Sequence, residues 1–175
     1  MNLPNKLTVL RVVLVPVFIA LYLTGHYYIA TAVFIGASVT DTLDGKIARK
    51  HNLVTTFGKF MDPLADKLLV CSALICFIPV LRIPTWIVLI IIGREFIISG
   101  FRLVAAEEGI VIAAGKWGKW KTAVTMITII LMIPDFGGTA IHIIEQILIY
   151  LSLALTIISL CDYLYKNRSI IGKDM

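Results

Sequence analysis

Charge is scarce in this sequence, and the scarcity excludes a good deal. Charged residues fill 15% of the 175 positions and hydrophobic ones 59%, a balance far to the apolar side of ordinary soluble domains. Cysteine is equally thin. Cys71, Cys76 and Cys161 stand in hydrophobic stretches without a CxxC pair, which argues for small buried apolar side chains and against a disulfide framework or thiolate zinc site. There is no internal repeat, no low-complexity tract and no GxxxxGK[ST] phosphate loop. Little polar chain remains for a soluble domain, so one membrane domain over residues 1–175 is the economical reading. Arg11 lies inside the first hydrophobic run and no small-residue cleavage site follows it, so that run reads as an uncleaved membrane segment.

What the chain does have is long apolar runs. Crossing about 30 Å of hydrocarbon takes roughly 20 helical residues. Runs of that kind occupy residues 7–24, 27–48, 61–81, 84–106, 118–134 and 139–165. The breaks between them have physical causes in Gly25 and His26, in Arg82 and Pro84, and in Pro134, Asp135, Gly137 and Gly138. The expected fold is all-α: a polytopic bundle of six transmembrane helices with an N-terminal interfacial segment.

Basic residues orient such a bundle, because Lys and Arg in short loops stay cytoplasmic. Lys6 and Arg11 mark the first end; Lys46, Arg49, Lys50 and Lys59 follow the second helix; Lys116, Lys119 and Lys121 follow the fourth; Lys166, Arg168 and Lys173 close the chain. Among the turns near residues 25, 83 and 136, Arg82 is the single basic residue. Both termini are therefore expected on the cytoplasmic side of a plasma membrane. The net charge of +5 becomes a topology signal with some attraction for anionic lipid, and nucleic acid is not an expected partner. Trp117 and Trp120 read as membrane anchors; the sequence leaves the oligomeric state open, a homodimer among the options.

Against this apolar background the stretch DTLDGKIARKHNLVTTFGKFMDPLAD, residues 41 to 66, holds four aspartates. On a helix Asp41, Asp44, Gly45 and Ala48 fall at i, i+3, i+4 and i+7, so two carboxylates share a face with two small residues. Gly58, Asp62 and Asp66 repeat the arrangement at i, i+4 and i+8. A short basic connector makes the two helices antiparallel neighbours. Four uncompensated carboxylates there would repel strongly, and each buried ion costs several kcal/mol (~3 or more). Salt bridges to Arg49, Lys59 and Lys67 explain one or two of the acids. Two hard divalent cations, Mg2+ or Mn2+, explain all four better; Zn2+ is the poorer match because no His or Cys lies among the acids apart from His51 on the connector.

The same stretch fills every fixed position of D-x2-D-G-x2-A-R-x8-G-x3-D-x3-D with Asp41, Asp44, Gly45, Ala48, Arg49, Gly58, Asp62 and Asp66. It resembles the signature of the CDP-alcohol phosphatidyltransferases, membrane enzymes with six transmembrane helices. The resemblance implies attack of an alcohol hydroxyl on the phosphatidyl phosphorus of CDP-diacylglycerol, with CMP leaving. It assigns the two metals to Asp41, Asp44, Asp62 and Asp66, and the general base to Asp66, which sequence does not divide between the two roles. Gly45, Ala48 and Gly58 would give room to the nucleotide and Arg49 would pair with its phosphates. Thr55 is a polar contact or an ordinary loop hydroxyl. The opening NLPNKLTVLR, residues 2 to 11, is similar to the phosphatidylglycerophosphate synthase branch, with Asn5, Thr8 and Arg11 near the nucleotide; Asn5 and Thr8 serve a helix cap equally well.

The acceptor is expected further along, in GREFIISGFRLVAAEEGIVIAAGKWGKWKT, residues 93 to 122. Glu95, Ser99 and Arg102 share a helix face, so a Glu95–Arg102 bridge is one reading, leaving Arg94 unpaired. Membrane anchoring is the simplest role for Lys119 and Lys121. The set Arg94, Arg102, Lys119 and Lys121 also suits an acceptor that carries its own phosphate, and this region resembles the branch whose acceptor is sn-glycerol 3-phosphate. Other acceptors (inositol phosphate, serine, phosphatidylglycerol) are the alternatives within the family, and a small divalent-cation transporter is the alternative outside it. The resemblance covers residues 2 to 123; residues 124–175 read as generic membrane helices.

Overall fold

The computed structural model describes residues 3–50, 56–107, 109, 112 and 115–168, with side chains for 6–40, 61, 64, 65, 67–106, 109, 112 and 115–168. Among these residues the secondary structure is helical throughout: α1 (Leu3–Leu23), α2 (Tyr27–Lys50), α3 (Thr56–Cys76), α4 (Thr85–Glu107), α5 (Lys116–Met132) and α6 (Thr139–Lys166). Two of them, over Lys6–Leu23 and Thr139–Lys166, are long and apolar enough to cross a membrane. Four sets of ends fall within two residues of the hydrophobic runs. The other two are informative. The opening segment is helical and part of α1, which is continuous from Leu3. α3 begins at Thr56 rather than near 61, because Gly58 and Lys59 interrupt the apolar run without breaking the helix, and it gives way to turns after Cys76.

The turns show why the helices stop. After α1, Gly25 adopts φ 80°, His26 N–H donates to Leu21 O at 2.9 Å and Gly25 N–H to Tyr22 O at 3.1 Å, a Schellman cap with glycine at its left-handed position. The same pair of bonds recurs after α3, where Arg82 N–H donates to Phe77 O and Leu81 N–H to Ile78 O. Here the left-handed residue is Leu81, at φ 56°, a conformation that costs a branched side chain about 1–2 kcal/mol. Pro84 then opens α4, its carbonyl accepting from Ile87 N–H at 3.0 Å.

The chain forms two compact units. In the first, residues 1–82 with 129–136, α1 packs on both α2 and α3, and α2 on α3. Its core is aromatic at one end: Tyr22 meets Phe77 edge-on at 5.5 Å and Phe18 meets Phe34 at 5.7 Å, while Ala30, Ala37, Ala65 and Ala73 let backbones approach. Arg82 joins two turns of this unit, donating from Nη1 to Met132 O at 2.6 Å and pairing with Asp135 at 3.2 Å. In the second unit, residues 83–128 with 137–175, α4 packs on α6. The outward faces of both units are large aliphatic side chains, among them Val13, Val17, Leu89, Ile97, Leu103, Ile127, Ile147 and Leu151.

Arg82 caps an α5 carbonyl and offsets the strain at Leu81, so Arg82→Leu is expected to lower thermal stability by about 1–3 kcal/mol. Asp135→Asn is expected to cost less, its carboxylate being close to half exposed. Thermal unfolding of the purified protein in detergent checks the order; equal stability of Arg82→Leu and the parent would remove the latch from the account.

Candidate functional site

The predicted site residues divide between the two units. Asp41, Asp44, Gly45, Ala48 and Arg49 are carried by α2 and Gly58, Asp62 and Asp66 by α3, and α2 packs on α3. Their side chains, like that of Asn5 on α1, lie outside the described residues, as does Thr55 altogether. The helical backbone does settle the register: Asp41 and Asp44 are one turn apart, as are Asp62 and Asp66. Short connections alternate the direction of α1, α2 and α3, which brings the start of α1, the end of α2 and the start of α3 to one end of this unit. Thr8 and Arg11 sit at that end, on the buried face that continues through Val15, Phe18 and Tyr22, with Thr8 0% and Arg11 1% exposed. A buried arginine on an apolar helix is costly to keep. Among the described residues no three His, Cys, Asp or Glu side chains form a metal-binding group.

The second unit carries a charged cluster in full view, built from the middle of α4, the start of α5 and the C-terminal part of α6. Glu95 Oε1 accepts from Arg94 Nη1 at 2.7 Å and from Lys121 Nζ at 2.8 Å. Arg94 Nη2 donates in addition to Ser159 Oγ on α6. Lys121 is 2% exposed and Arg94 8%. Gly118 makes this possible: a Cβ there would stand 3.3 Å from Arg94 Nη2 and 3.6 Å from Ser159 Oγ. One turn beyond Lys121, Thr125 and Ser152 share a hydrogen bond of 2.6 Å, which extends the polar contact between α5 and α6 inward.

The Glu95–Arg102 bridge, one of the two readings of this face, is not formed, and Arg94 is not unpaired. Helical spacing brings positions 95 and 102 to one face, but a partner 26 residues away wins Glu95. Arg102 lies over the ring of Tyr163 instead, its Cζ 5.9 Å from the centroid, and Phe101 meets the same ring edge-on at 5.8 Å. Lys119 is exposed, as are Trp117 and Trp120, in keeping with the anchoring role. Cys71 and Cys76 are buried as expected and Cys161 is exposed, all three as free thiols.

α6 is the larger correction. It is not a generic apolar helix, for its buried face reads Glu145, Ile149, Ser152, Leu153, Thr156, Ser159 and Tyr163. The signal was present in the sequence: Ser152, Thr156, Ser159 and Tyr163 recur at i, i+4, i+7 and i+11 in a helix otherwise rich in Ile and Leu. Among the described residues, two buried cations share one partly buried carboxylate, which leaves an excess positive charge, and Arg102 adds a second. The pair Lys166–Asp162, at 2.7 Å, balances itself. Burial strengthens every such term, so the cluster favours an anion.

An all-α chain with two helices fit to span a membrane, an aliphatic exterior and several buried charged side chains belongs to the class of membrane-associated helical proteins. The family follows from comparison: the CDP-alcohol phosphatidyltransferase model matches residues 1–158. The chain belongs to that family, and the match runs well into α6. It is 40% identical to the CDP-diacylglycerol–glycerol-3-phosphate 3-phosphatidyltransferase of Bacillus subtilis over 95% of each chain. It is 41% identical to the enzyme of the same name from Haemophilus influenzae, over 93% of this chain and 91% of the relative. A probable phosphatidylglycerophosphate synthase of Mycobacterium tuberculosis is 37% identical over 98% of this chain and 84% of the relative.

Glu95→Gln strips two buried cations of their shared counter-ion and is expected to destabilise by about 3–5 kcal/mol. Lys121→Met alone leaves the Arg94–Glu95 pair and should cost less. Combined, the two are expected to fall short of the sum of their separate effects. Additive losses in thermal unfolding would mean that Glu95 and Lys121 do not act on one another.

Proposed function

We propose that this chain transfers the phosphatidyl group of CDP-diacylglycerol to sn-glycerol 3-phosphate, giving phosphatidylglycerophosphate and CMP. The printed activity of the Bacillus subtilis relative supports the reaction. One observation on this chain carries the acceptor: Arg94 and Lys121 are buried around a single carboxylate, so an anionic acceptor supplies the charge the protein withholds. Plain glycerol would leave those bases incompletely paired.

The donor is assigned to the first unit. Asp41, Asp44, Asp62 and Asp66 are short hard-oxygen donors on two helices packed against each other, a set that fits two divalent cations, Mg2+ or Mn2+. When bound, these supply neutralising charge at the pyrophosphate. Asp66 takes the proton of the acceptor hydroxyl as its oxygen bonds to the phosphatidyl phosphorus, and the bond from that phosphorus to the CMP oxygen breaks. Arg49 pairs with the donor phosphates; Gly45, Ala48 and Gly58 keep the helix faces low enough for the nucleotide; Asn5, Thr8 and Thr55 are its polar contacts. On the acceptor side Arg94, Lys121 and Arg102 hold the phosphate, with exposed Lys119 attracting it.

The whole chain forms one membrane domain, all six helices crossing the bilayer of the plasma membrane with both termini and the site cytoplasmic. The alternation of basic loops and the aliphatic outward faces support this. Homodimerisation is compatible with that arrangement.

An acceptor panel with purified enzyme and CDP-diacylglycerol, read as CMP release, tests the reaction: glycerol 3-phosphate is expected to exceed glycerol, inositol and serine by at least about tenfold, the worth of a charge-assisted contact. Equal use of glycerol or inositol would withdraw the acceptor and leave the family. Asp41→Asn and Asp62→Asn should fold, lose activity, and lose the thermal stabilisation that Mg2+ or Mn2+ gives the parent; full activity in either would return those aspartates to salt bridging. Cysteine labels at 52, 118 and 170 should react from the cytoplasmic side and labels at 26 and 136 from outside. Outside labelling of position 52 would invert the assigned orientation.

A further inference from the structure

Among the described residues of α4 and α6, three buried polar atoms lack a hydrogen-bond partner: Arg94 Nε, Arg102 Nε and Tyr163 OH. Arg94 is otherwise engaged through both its terminal nitrogens. Arg102 and Tyr163 are a different case. The guanidinium lies over the Tyr163 ring at 5.9 Å, Phe101 holds that ring from the side at 86°, and Tyr163 is 6% exposed. The ring is fixed by packing, and water has little access to its hydroxyl. Native proteins seldom leave such a group unmet. Tyr163 also follows Ser159 by one turn on α6, so it continues the face that already holds Arg94. A phenol O–H and a guanidinium N–H, both buried and unpaired, are two donors that await oxygen acceptors.

We propose that Tyr163 is a specificity-determining residue of the acceptor site, its hydroxyl donating to a phosphate oxygen of the acceptor beside the guanidinium stacked on its ring. This rests on the phosphate-bearing acceptor assigned above. A purely structural role for the phenol makes the opposite demand. With no protein partner to lose, its hydroxyl contributes nothing to the fold, and removing an unpaired buried hydroxyl is neutral or stabilising. The ring alone is what packing and the Arg102 contact use, so phenylalanine preserves both.

Tyr163→Phe is therefore expected to unfold at the same temperature as the parent or higher, while the KM for glycerol 3-phosphate rises about tenfold or more and that for CDP-diacylglycerol holds. Inorganic phosphate, added to the purified enzyme in detergent without CDP-diacylglycerol, should raise the melting temperature of the parent more than that of Tyr163→Phe. Tyr163→Leu, which also removes the surface under Arg102, should raise the KM further. An unchanged KM for glycerol 3-phosphate and an unchanged phosphate shift in Tyr163→Phe would overturn the proposal while leaving the reaction in place. A parent that releases no CMP with glycerol 3-phosphate would overturn the reaction; a Tyr163-dependent phosphate shift in that enzyme would still support the anion site, and a Tyr163-independent one would sink it.

Discussion

The bond on which the second unit depends is the one Glu95 makes twice. Arg94 and Lys121 come from different helices, both are buried, and a single carboxylate oxygen accepts from each. Taking an ion out of water costs several kcal/mol (~3 or more) even after relaxation, so neither cation would hold its place by packing alone. Sharing Glu95 ties the middle of α4 to the start of α5, and the second arm of Arg94 reaches Ser159 and ties both to α6. Gly118 follows from this constraint, since a side chain at its position would meet the guanidinium. So does the polar face of α6, which an apolar helix of equal length would not need.

Much of this was legible in the chain, and the limits of reading follow from the range of the forces involved. Apolar runs locate helices because hydrophobicity is a property of each residue; they misplace the start of α3 because Gly58 and Lys59 interrupt the run but not the helix. Gly25 announces its turn, whereas Leu81 takes the equivalent left-handed position against its own preference, held by Arg82 and the turns it bonds. The aspartates stand out because their arrangement is contained within two consecutive helices. Glu95 does not yield to the same reasoning. Its helical neighbours offer Arg102 as a partner, and only the packing of α4 and α5 offers Lys121.

Residues on α6 escaped notice for a related reason. Ser152, Thr156, Ser159 and Tyr163 are unremarkable singly, and a serine or threonine in an apolar helix can bond its own backbone, as Thr156 does to Ser152 O at 2.7 Å. Their common face becomes meaningful once the opposite surface is seen to carry cations. Small hydroxyls there accept from Arg94 and meet Thr125 without the bulk that would part the helices.

Selection for stability alone would have built this end of the molecule differently. A second carboxylate beside Lys121, or an apolar set of the same volume, would remove the excess positive charge and the unpaired donors of Arg102 and Tyr163. Under the proposed function, either would also fill the role left to the acceptor phosphate. Buried groups that the protein leaves incompletely satisfied are expensive in the free state and are repaid when an anion of the right shape arrives, which makes binding steep and discriminating. On that same proposal the logic on α2 and α3 runs with the sign reversed: the four aspartates that these two helices carry would take up divalent cations, as the cluster on α4, α5 and α6 would take up a phosphate.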